Sequence, residues 1–468
     1  MDPIRSGQIS WEIALTEFSA VWAYNPNYNQ RTLMDSEQEP AAECADPQGN
    51  LLVLALLAPF AGAAAGLIGV IFRLALQGAD SLRGTVIGWA HGEAFAGFLF
   101  VVVLCGAATA FAAWLVRRYS PQATGSGIPA VESVLEGERP PTPYQLIPVK
   151  FFGGLLAIGS GLALGREGPS VQMGASVAHF LATLVCRNEK DCTAVLAAGA
   201  GAGLATAFNA PIAGAVFVLE ELVRRFDTRI AIVTFGASTG AIAVARLFLG
   251  STPDFHVEAL PYPSFGTVPL HLALGVLAGL LGVAYNRTLL ATLAGADKLR
   301  FWPVELRAAV VGAAVGILAW FDPGLVGGGD AITQSTLSGT EALEVMSVVF
   351  IVRFGLGAVS YAASTPGGLF APMLVLGAQL GFLYGTVCSY WVPAVAPNPT
   401  SLAIVGMAAF FTAVVRAPVT GIVLVTEMTS SFTMLLPMLA ACFAAMAVPT
   451  LMRNAPIYES LRQRLASK

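Results

Sequence analysis

The sequence predicts an all-α, polytopic membrane protein, and three observations carry that reading. Hydrophobic residues make up 56% of the 468, with a mean hydropathy of +0.70. Charged residues are 12%, about half the roughly 25% of soluble domains. Leu51–Phe72 and Ala94–Val116 carry no charge, and each is long enough for the about 20 residues that a helix needs to cross a bilayer.

Later apolar runs are shorter and interrupted by glycine or proline, as in Phe151–Leu164, Thr193–Ala210 and Leu369–Val387. A span in lipid must satisfy its own backbone, so broken helices persist only where they line a cavity enclosed by protein. The expected architecture is therefore a bundle of tilted and broken helices around a polar interior.

Composition narrows the function classes. A net charge of −4 and the lack of any basic tract argue against a nucleic-acid partner. The six cysteines (44, 105, 186, 192, 388 and 442) are scattered without a CxxC, and the four histidines show no ligand spacing. Buried thiols acting as small hydrophobes are expected, with no metal and no cofactor. Cys186 and Cys192 flank the polar loop 187–191 and could pair.

Residues 1–48 are polar and read as an N-terminal tail, expected on the cytosolic side. Within it, Trp11–Ala23 is either a short amphipathic surface helix or part of a disordered segment. No basic region precedes an apolar one there, so no cleavable signal peptide is expected. Residues 49–468 read as one membrane domain, ending too soon after Tyr458 for a soluble regulatory domain.

That domain contains an internal duplication. Phe208-Asn209-Ala210-Pro211 through Glu220 aligns without a gap on Val415-Arg416-Ala417-Pro418 through Glu427. Upstream, Gly165-Arg166-Glu167-Gly168-Pro169 aligns on Gly368-Leu369-Phe370-Ala371-Pro372, and both continue to a Gly-Ala pair. Two motifs in the same order at nearly the same offset are poorly explained by chance, and the halves fall at about 50–250 and 265–468. Gly/Pro-interrupted helices at matching positions of repeated halves point to a midplane binding site.

Glu167 is the most informative residue. An acid at membrane depth is costly and ordinarily faces a bundle interior or water cavity where ions or protons are handled. Pro169 suits a first helical turn, and the run Val171–Val185 follows it. Helix starts gather unpaired N–H donors and partial positive charge, which attract an anion. Here an acid stands where an anion would bind. When ionised it competes with the anion for those donors; when protonated it loses that attraction and leaves the place open. A bland salt bridge to the adjacent Arg166 is the weaker reading, because neighbouring residues on a turn point apart.

Gly125-Ser126-Gly127-Ile128-Pro129, Gly165–Pro169 and Gly368–Pro372 resemble the three signature loops of the CLC family of chloride channels and chloride/proton antiporters, in its form without a C-terminal regulatory domain. The match continues through Leu146–Gly154, Ala205–Glu221, Gly406–Glu427 and Asn454–Leu461. The resemblance implies two inverted repeats whose helix ends converge on chloride, and a homodimer in the bilayer with one pathway per subunit. It also implies a multi-pass protein of the bacterial inner membrane.

Site residues follow from residues and resemblance together. Ser126 is by its context either a helix cap or an anion ligand whose hydroxyl binds weakly enough for release. The resemblance assigns it to chloride and, as serine rather than proline, to chloride over nitrate. Leu369 and Phe370 are expected to offer backbone N–H groups, with the Phe370 ring narrowing the pore. Tyr458 reads alone as an interfacial anchor, whereas the resemblance makes its hydroxyl a chloride ligand. Arg166, Gly168 and Ala371 are expected to support the pathway.

Glu220 and Glu221 end the apolar run Ile212–Leu219. Beside Arg224 and Arg225 they could be a solvated helix end. The resemblance gives Glu221 the internal proton, with Glu220 assisting or remaining structural.

The expected function is a chloride/proton antiporter gated by Glu167, transporting chloride and protons. The alternative is a passive, glutamate-gated chloride channel of the same fold. An intramembrane enzyme is disfavoured because no paired aspartate, Ser/His set or HExxH is present, and serine in the first motif disfavours a fluoride-selective relative.

Overall fold

The computed structural model describes residues 47–186, 188–340, 342–393 and 397–466. The chain divides into two units, 1–50 and 51–468. The segment 11–23 and Cys44 lie outside the described residues.

Apolar composition and proline placement set the helices. In the first half these are α1 (Leu51–His91), α2 (Ala94–Tyr119), α3 (Ile128–Leu135), α4 (Leu146–Gly159), α5 (Glu167–Val185), α6 (Glu189–Phe208), α7 (Pro211–Phe217) and α8 (Thr228–Leu249). The second half contributes α9 (Val268–Lys298), α10 (Val304–Phe321), α11 (Asp330–Ser338), α12 (Leu343–Tyr361), α13 (Phe370–Trp391), α14 (Pro399–Val415), α15 (Pro418–Thr429), α16 (Leu435–Leu451) and α17 (Ile457–Ala466). No strand occurs among the described residues, only two isolated bridges. Nine of the described helices are long and apolar enough to cross a bilayer. Exposed leucines and phenylalanines such as Leu52, Phe60, Leu247 and Phe443 suit contact with lipid. The protein is a multi-pass integral membrane protein.

Prolines open α3, α7, α14 and α15 within the first two positions, where a missing N–H costs nothing and φ is already helical. The breaks recur in register. Asn209 and Arg416, equivalent in the repeat, both close their helices in the left-handed region, at φ 50° and 75°. Each is followed by an Ala-Pro that starts the next short helix.

The repeat is also visible in buried contacts. Lys150 of α4 donates from Nζ to the carbonyls of Ala123 and Gly125, at 3.0 and 2.8 Å. Arg353 of α12 donates from Nη1 to the carbonyls of Leu325 and Gly327, at 3.2 and 2.8 Å. Both cations are buried, and each pins the loop ahead of a short helix, α3 or α11. Those helices are preceded by Gly127 and Gly329, at φ 86° and 97°, a conformation that glycine adopts without strain.

A two-fold relation between the halves follows from reciprocal bonds. Gly165 and its equivalent Gly368 exchange N–H to carbonyl bonds of 2.9 and 2.7 Å. Helix α7 packs on its equivalent α15, with the end of each beside the start of the other. The equivalent helices therefore run antiparallel, which is the inversion of one half relative to the other. The core binds this together: α5 on α6 and α6 on α8 in the first half, α13 on α14 and α14 on α16 in the second.

Candidate functional site

Four chain breaks meet at one point. The Gly165–Gly368 pairing sets the N-terminus of α5 against that of α13. Gly125 donates to the Thr365 carbonyl at 3.0 Å and accepts from Gly367 at 3.1 Å, drawing the Ser126 loop to the same place. Helix α17 packs on α3 and supplies Tyr458. The Asn454 turn before α17 is held by Arg416, whose Nη2 donates to the Asn454 carbonyl at 2.6 Å, and by Asn286 at 3.2 Å from the Asn454 side chain. Ion pairing of Arg462 with Glu136 fixes α17 to the end of α3.

Glu167 is fully buried, and its Oε1 accepts from the Phe370 N–H at 2.7 Å. An acid thus occupies the donor group that the start of α13 offers to an anion. Its other oxygen is buried with no hydrogen bond from another residue, and the Ser126 and Tyr458 hydroxyls are buried against one another with no further partner among the described residues. Buried polar groups left short of partners are rare and costly, and a carboxylate oxygen and two hydroxyls with unused hydrogen-bonding capacity at one helix junction suit a site whose remaining partner is a transported ion. Chloride fits the donor set: hydroxyls and amide N–H groups rather than a full positive charge, giving attraction that still permits release. Among the described residues no cluster of potential metal ligands occurs.

Small residues make the approach possible. A Cβ on Gly168 would run into the Ser126 backbone and hydroxyl, so α5 starts directly against Ser126. Ala371, in the first turn of α13, is buried beside Phe370, and Leu369 is the buried residue just before that helix. The Phe370 ring is enclosed by aromatics: Phe411 at 4.6 Å, Phe217 at 5.6 Å and Tyr458 at 6.0 Å between ring centroids.

Arg166 does not pair with Glu167. Its guanidinium donates to Asp330 at 2.6 Å, Asp254 at 3.1 Å and the Ala207 carbonyl at 2.8 Å. Arg73 joins Asp254 at 2.7 Å. Two aspartates therefore offset the cationic potential beside Glu167, an arrangement without signal in the local sequence.

Glu220 and Glu221 part company on a π-turn, Val218–Leu222. The extra residue in such a turn re-aims adjacent side chains, and π-turns recur at functional sites. Glu220 reaches the start of α15, accepting from the N–H groups of Val419 and Thr420 at 3.0 and 2.6 Å and from the Thr420 hydroxyl at 2.7 Å. Glu221 is 4% exposed, with Arg224 at 3.9 Å. The same guanidinium lies 2.5 Å from Glu132, a fully buried acid of α3. A cavity of about 280 Å³ adjoins this turn, lined by Leu222, Val223, Thr193, Glu136 and Arg225 among others.

The structure thus brings Ser126, Glu167, Gly168, Leu369, Phe370, Ala371 and Tyr458 to one junction, sets Arg166 beside it in its own ion cluster, and separates Glu220 from Glu221. Sequence reasoning missed Glu132, Lys150 and Tyr361. Glu132 and Lys150 were detectable as lone charges in the apolar stretches Ile128–Leu135 and Leu146–Gly159. Tyr361 carried no comparable signal.

With this geometry in place, comparison decides the family. A family model described as Voltage gated chloride channel matches residues 106–450. The chain belongs to the CLC family. It is similar to a Vibrio cholerae protein named H(+)/Cl(-) exchange transporter ClcA, 36% identical over 429 residues covering 89% of each chain. A Cronobacter sakazakii protein of the same name is 35% identical over 427 residues, covering 89% of this chain and 91% of that one. Among solved structures it resembles a slow cyanobacterial Cl-/H+ antiporter, with a TM-score of 0.85, 30% identity, and coverage of 92% of this chain and 99% of that one. A CLC-type fluoride/proton antiporter shares the fold, at a TM-score of 0.75 and 21% identity. The matched CLC segment includes every site residue except Tyr458.

Proposed function

We propose that this protein is a chloride/proton antiporter, moving chloride across a membrane, in bacteria the inner membrane, in exchange for protons. One observation carries the reading: the Glu167 carboxylate sits on the Phe370 N–H, where an anion would otherwise be bound. Ionised, Glu167 closes the site. On taking a proton it loses its charge-assisted bond and gives way to chloride, held by Ser126, Tyr458 and the amides of Leu369 and Phe370. Arg166, Gly168 and Ala371 support this pathway. Proton and anion alternate in one place, and that alternation couples them.

The proton needs a second acid, and Glu221 supplies it. It is buried, its Oε1 makes no hydrogen bond and lies 3.9 Å from the Arg224 guanidinium, and it adjoins Leu222 and Val223, which line the cavity. Arg224 links Glu221 to Glu132 of α3, the helix that the Ser126 loop leads into. Glu220 is assigned to structure rather than to proton transfer, because both its oxygens are engaged by α15. All pathway residues come from one chain, which suits a homodimer with one pathway in each subunit. Residues 1–48 are assigned to a tail and 49–468 to the membrane domain. The named relatives are exchangers, and the chemistry invoked is ion binding and protonation, without a bond-making step.

Reconstitution into sealed liposomes with a chloride gradient and a pH probe tests the proposal. Uphill proton movement driven by chloride is expected; chloride flux without proton movement leaves a passive channel instead. Glu167→Ala is expected to abolish proton coupling while chloride still passes, and Glu221→Ala to stop protons with the anion site intact. Proton pumping that persists in the Glu167→Ala protein defeats the mechanism.

A further inference from the structure

Asp330 is the first residue of α11, and its side chain is 49% exposed. It reaches Arg166, whose Nη1 donates to it at 2.6 Å. Arg166 stands immediately before Glu167; its side chain is 14% exposed, and Glu167 is fully buried. The loop ahead of α11 is fixed beside the loop that leads to Glu167. Gly327 donates to the Gly161 carbonyl at 2.7 Å, and a Cβ on Gly328 would lie 3.7 Å from the Leu164 carbonyl. Exposure therefore falls in steps from Asp330 to Arg166 to the gating acid.

The other acid on Arg166 is placed differently. The Asp254 carboxylate lies between two guanidiniums, Arg73 at 2.7 Å on one oxygen and Arg166 at 3.1 Å on the other, and its side chain is 5% exposed. Held from both sides, it is a fixed charge. Asp330 pairs with one cation among the described residues, and a half-exposed ion pair is weak enough to exchange with ions in solution. Donor capacity is also unused nearby, since Arg73 Nε and Nη1 are buried without a hydrogen bond. We propose that Asp330 is a displaceable counter-ion at this mouth of the pathway: an entering chloride takes its place on Arg166 before reaching the site that Glu167 guards. Asp330 thereby sets the chloride concentration at which entry saturates. An acid in the first turn of a helix also suits the helix dipole. That role alone does not call for the charge here, because α3, the equivalent of α11, begins with Ile128, and Leu369 stands where the first half has Arg166. The ion pair therefore occurs once, on one side of the two-fold relation.

This inference rests on Arg166 lying beside the anion pathway, and the test separates the two. Chloride flux and proton movement are measured in liposomes over a range of chloride concentrations, for the unaltered full chain and for Asp330→Asn. Removing the negative charge leaves Arg166 Nη1 to the incoming ion. Half-maximal flux is expected at an about three- to tenfold lower chloride concentration, with the proton-to-chloride ratio unchanged. The difference is expected to shrink when an impermeant salt raises the ionic strength, because a half-exposed charge is screened. Asp330→Glu keeps the charge and is expected to retain the parent chloride dependence. An acid needed only to start α11 would give lower thermal stability in Asp330→Asn with an unchanged chloride dependence, and that result overturns the inference. So does an altered proton-to-chloride ratio, which would put the influence of Asp330 on the gate rather than on entry. Asp330→Ser removes the same charge and reads the same way if the asparagine protein does not fold. No chloride flux through the unaltered chain overturns the pathway reading itself and the inference with it.

Discussion

Glu220 and Glu427 each cap the helix that the other one ends. Glu427 accepts from Ile212 and Ala213 at the start of α7, at 3.1 and 2.8 Å, and Glu220 does the same for Val419 and Thr420 at the start of α15. Both helices open with proline, so the bonded donors are the next orphan amides of the first turn. A carboxylate there also meets the positive end of the helix dipole. The two acids are equivalent in the repeat, and their reciprocal bonds join the two halves.

Glu220→Gln and Glu427→Gln are accordingly expected to destabilise the protein by about 1–2 kcal/mol each. The Glu220 change is expected to cost somewhat more, since it also loses the Thr420 hydroxyl. Thermal unfolding in detergent measures the loss, and liposome flux measures the proton-to-chloride ratio, which should hold. A Glu220→Gln protein of native stability that moves chloride but no protons would return Glu220 to the proton route.

Gly168 tests how closely the gate is packed on Ser126. In Gly168→Ala the new methyl would meet the Ser126 backbone, with its Cα 2.9 Å away. Backbone cannot yield as a flexible side chain does, and such overpacking costs about 1–3 kcal/mol. Weaker chloride binding is expected, with secondary structure retained by circular dichroism. Unaltered affinity would show that α5 and the Ser126 loop are further apart than described.

Cys186 lies in the turn between α5 and α6, and burial, reinforced by the neighbouring Cys192 thiol, pushes its pKa up to about 11. Both cysteines are free thiols. Because the thiolate is the nucleophile, a raised pKa leaves less of it at neutral pH. Maleimide labelling of Cys186, followed in a Cys192→Ser protein, is expected to be slow at pH 7 and to rise steadily as the pH is raised toward 10. Rapid labelling at pH 7 would place the thiol in open water.

The sequence disclosed the membrane class through composition, and the repeat through the paired Ala-Pro and Gly-Pro motifs. It also singled out Glu167, because a lone acid between glycines in apolar sequence is expensive unless it has work to do. Local chemistry of that kind is written in neighbouring residues. The divergence of Glu220 from Glu221 was not, since it depends on a π-turn that rotates two adjacent acids onto different partners. Likewise Lys150 and Arg353 show their equivalence only when the carbonyls they hold are seen.

By itself the chain determined where several helices start, since proline and glycine act within a turn or two, whereas apolar run length did not set where they stop: α1 runs on past Phe72 through Arg73, Asp80 and Arg83 to His91. Only the tertiary structure decided which of those ends meet. The Phe370 amide lies 203 positions from the acid it holds, and Tyr361 lies 235 from the serine amide it accepts. Contacts across such separations are set by the antiparallel packing of two halves in lipid. No local pattern encodes them.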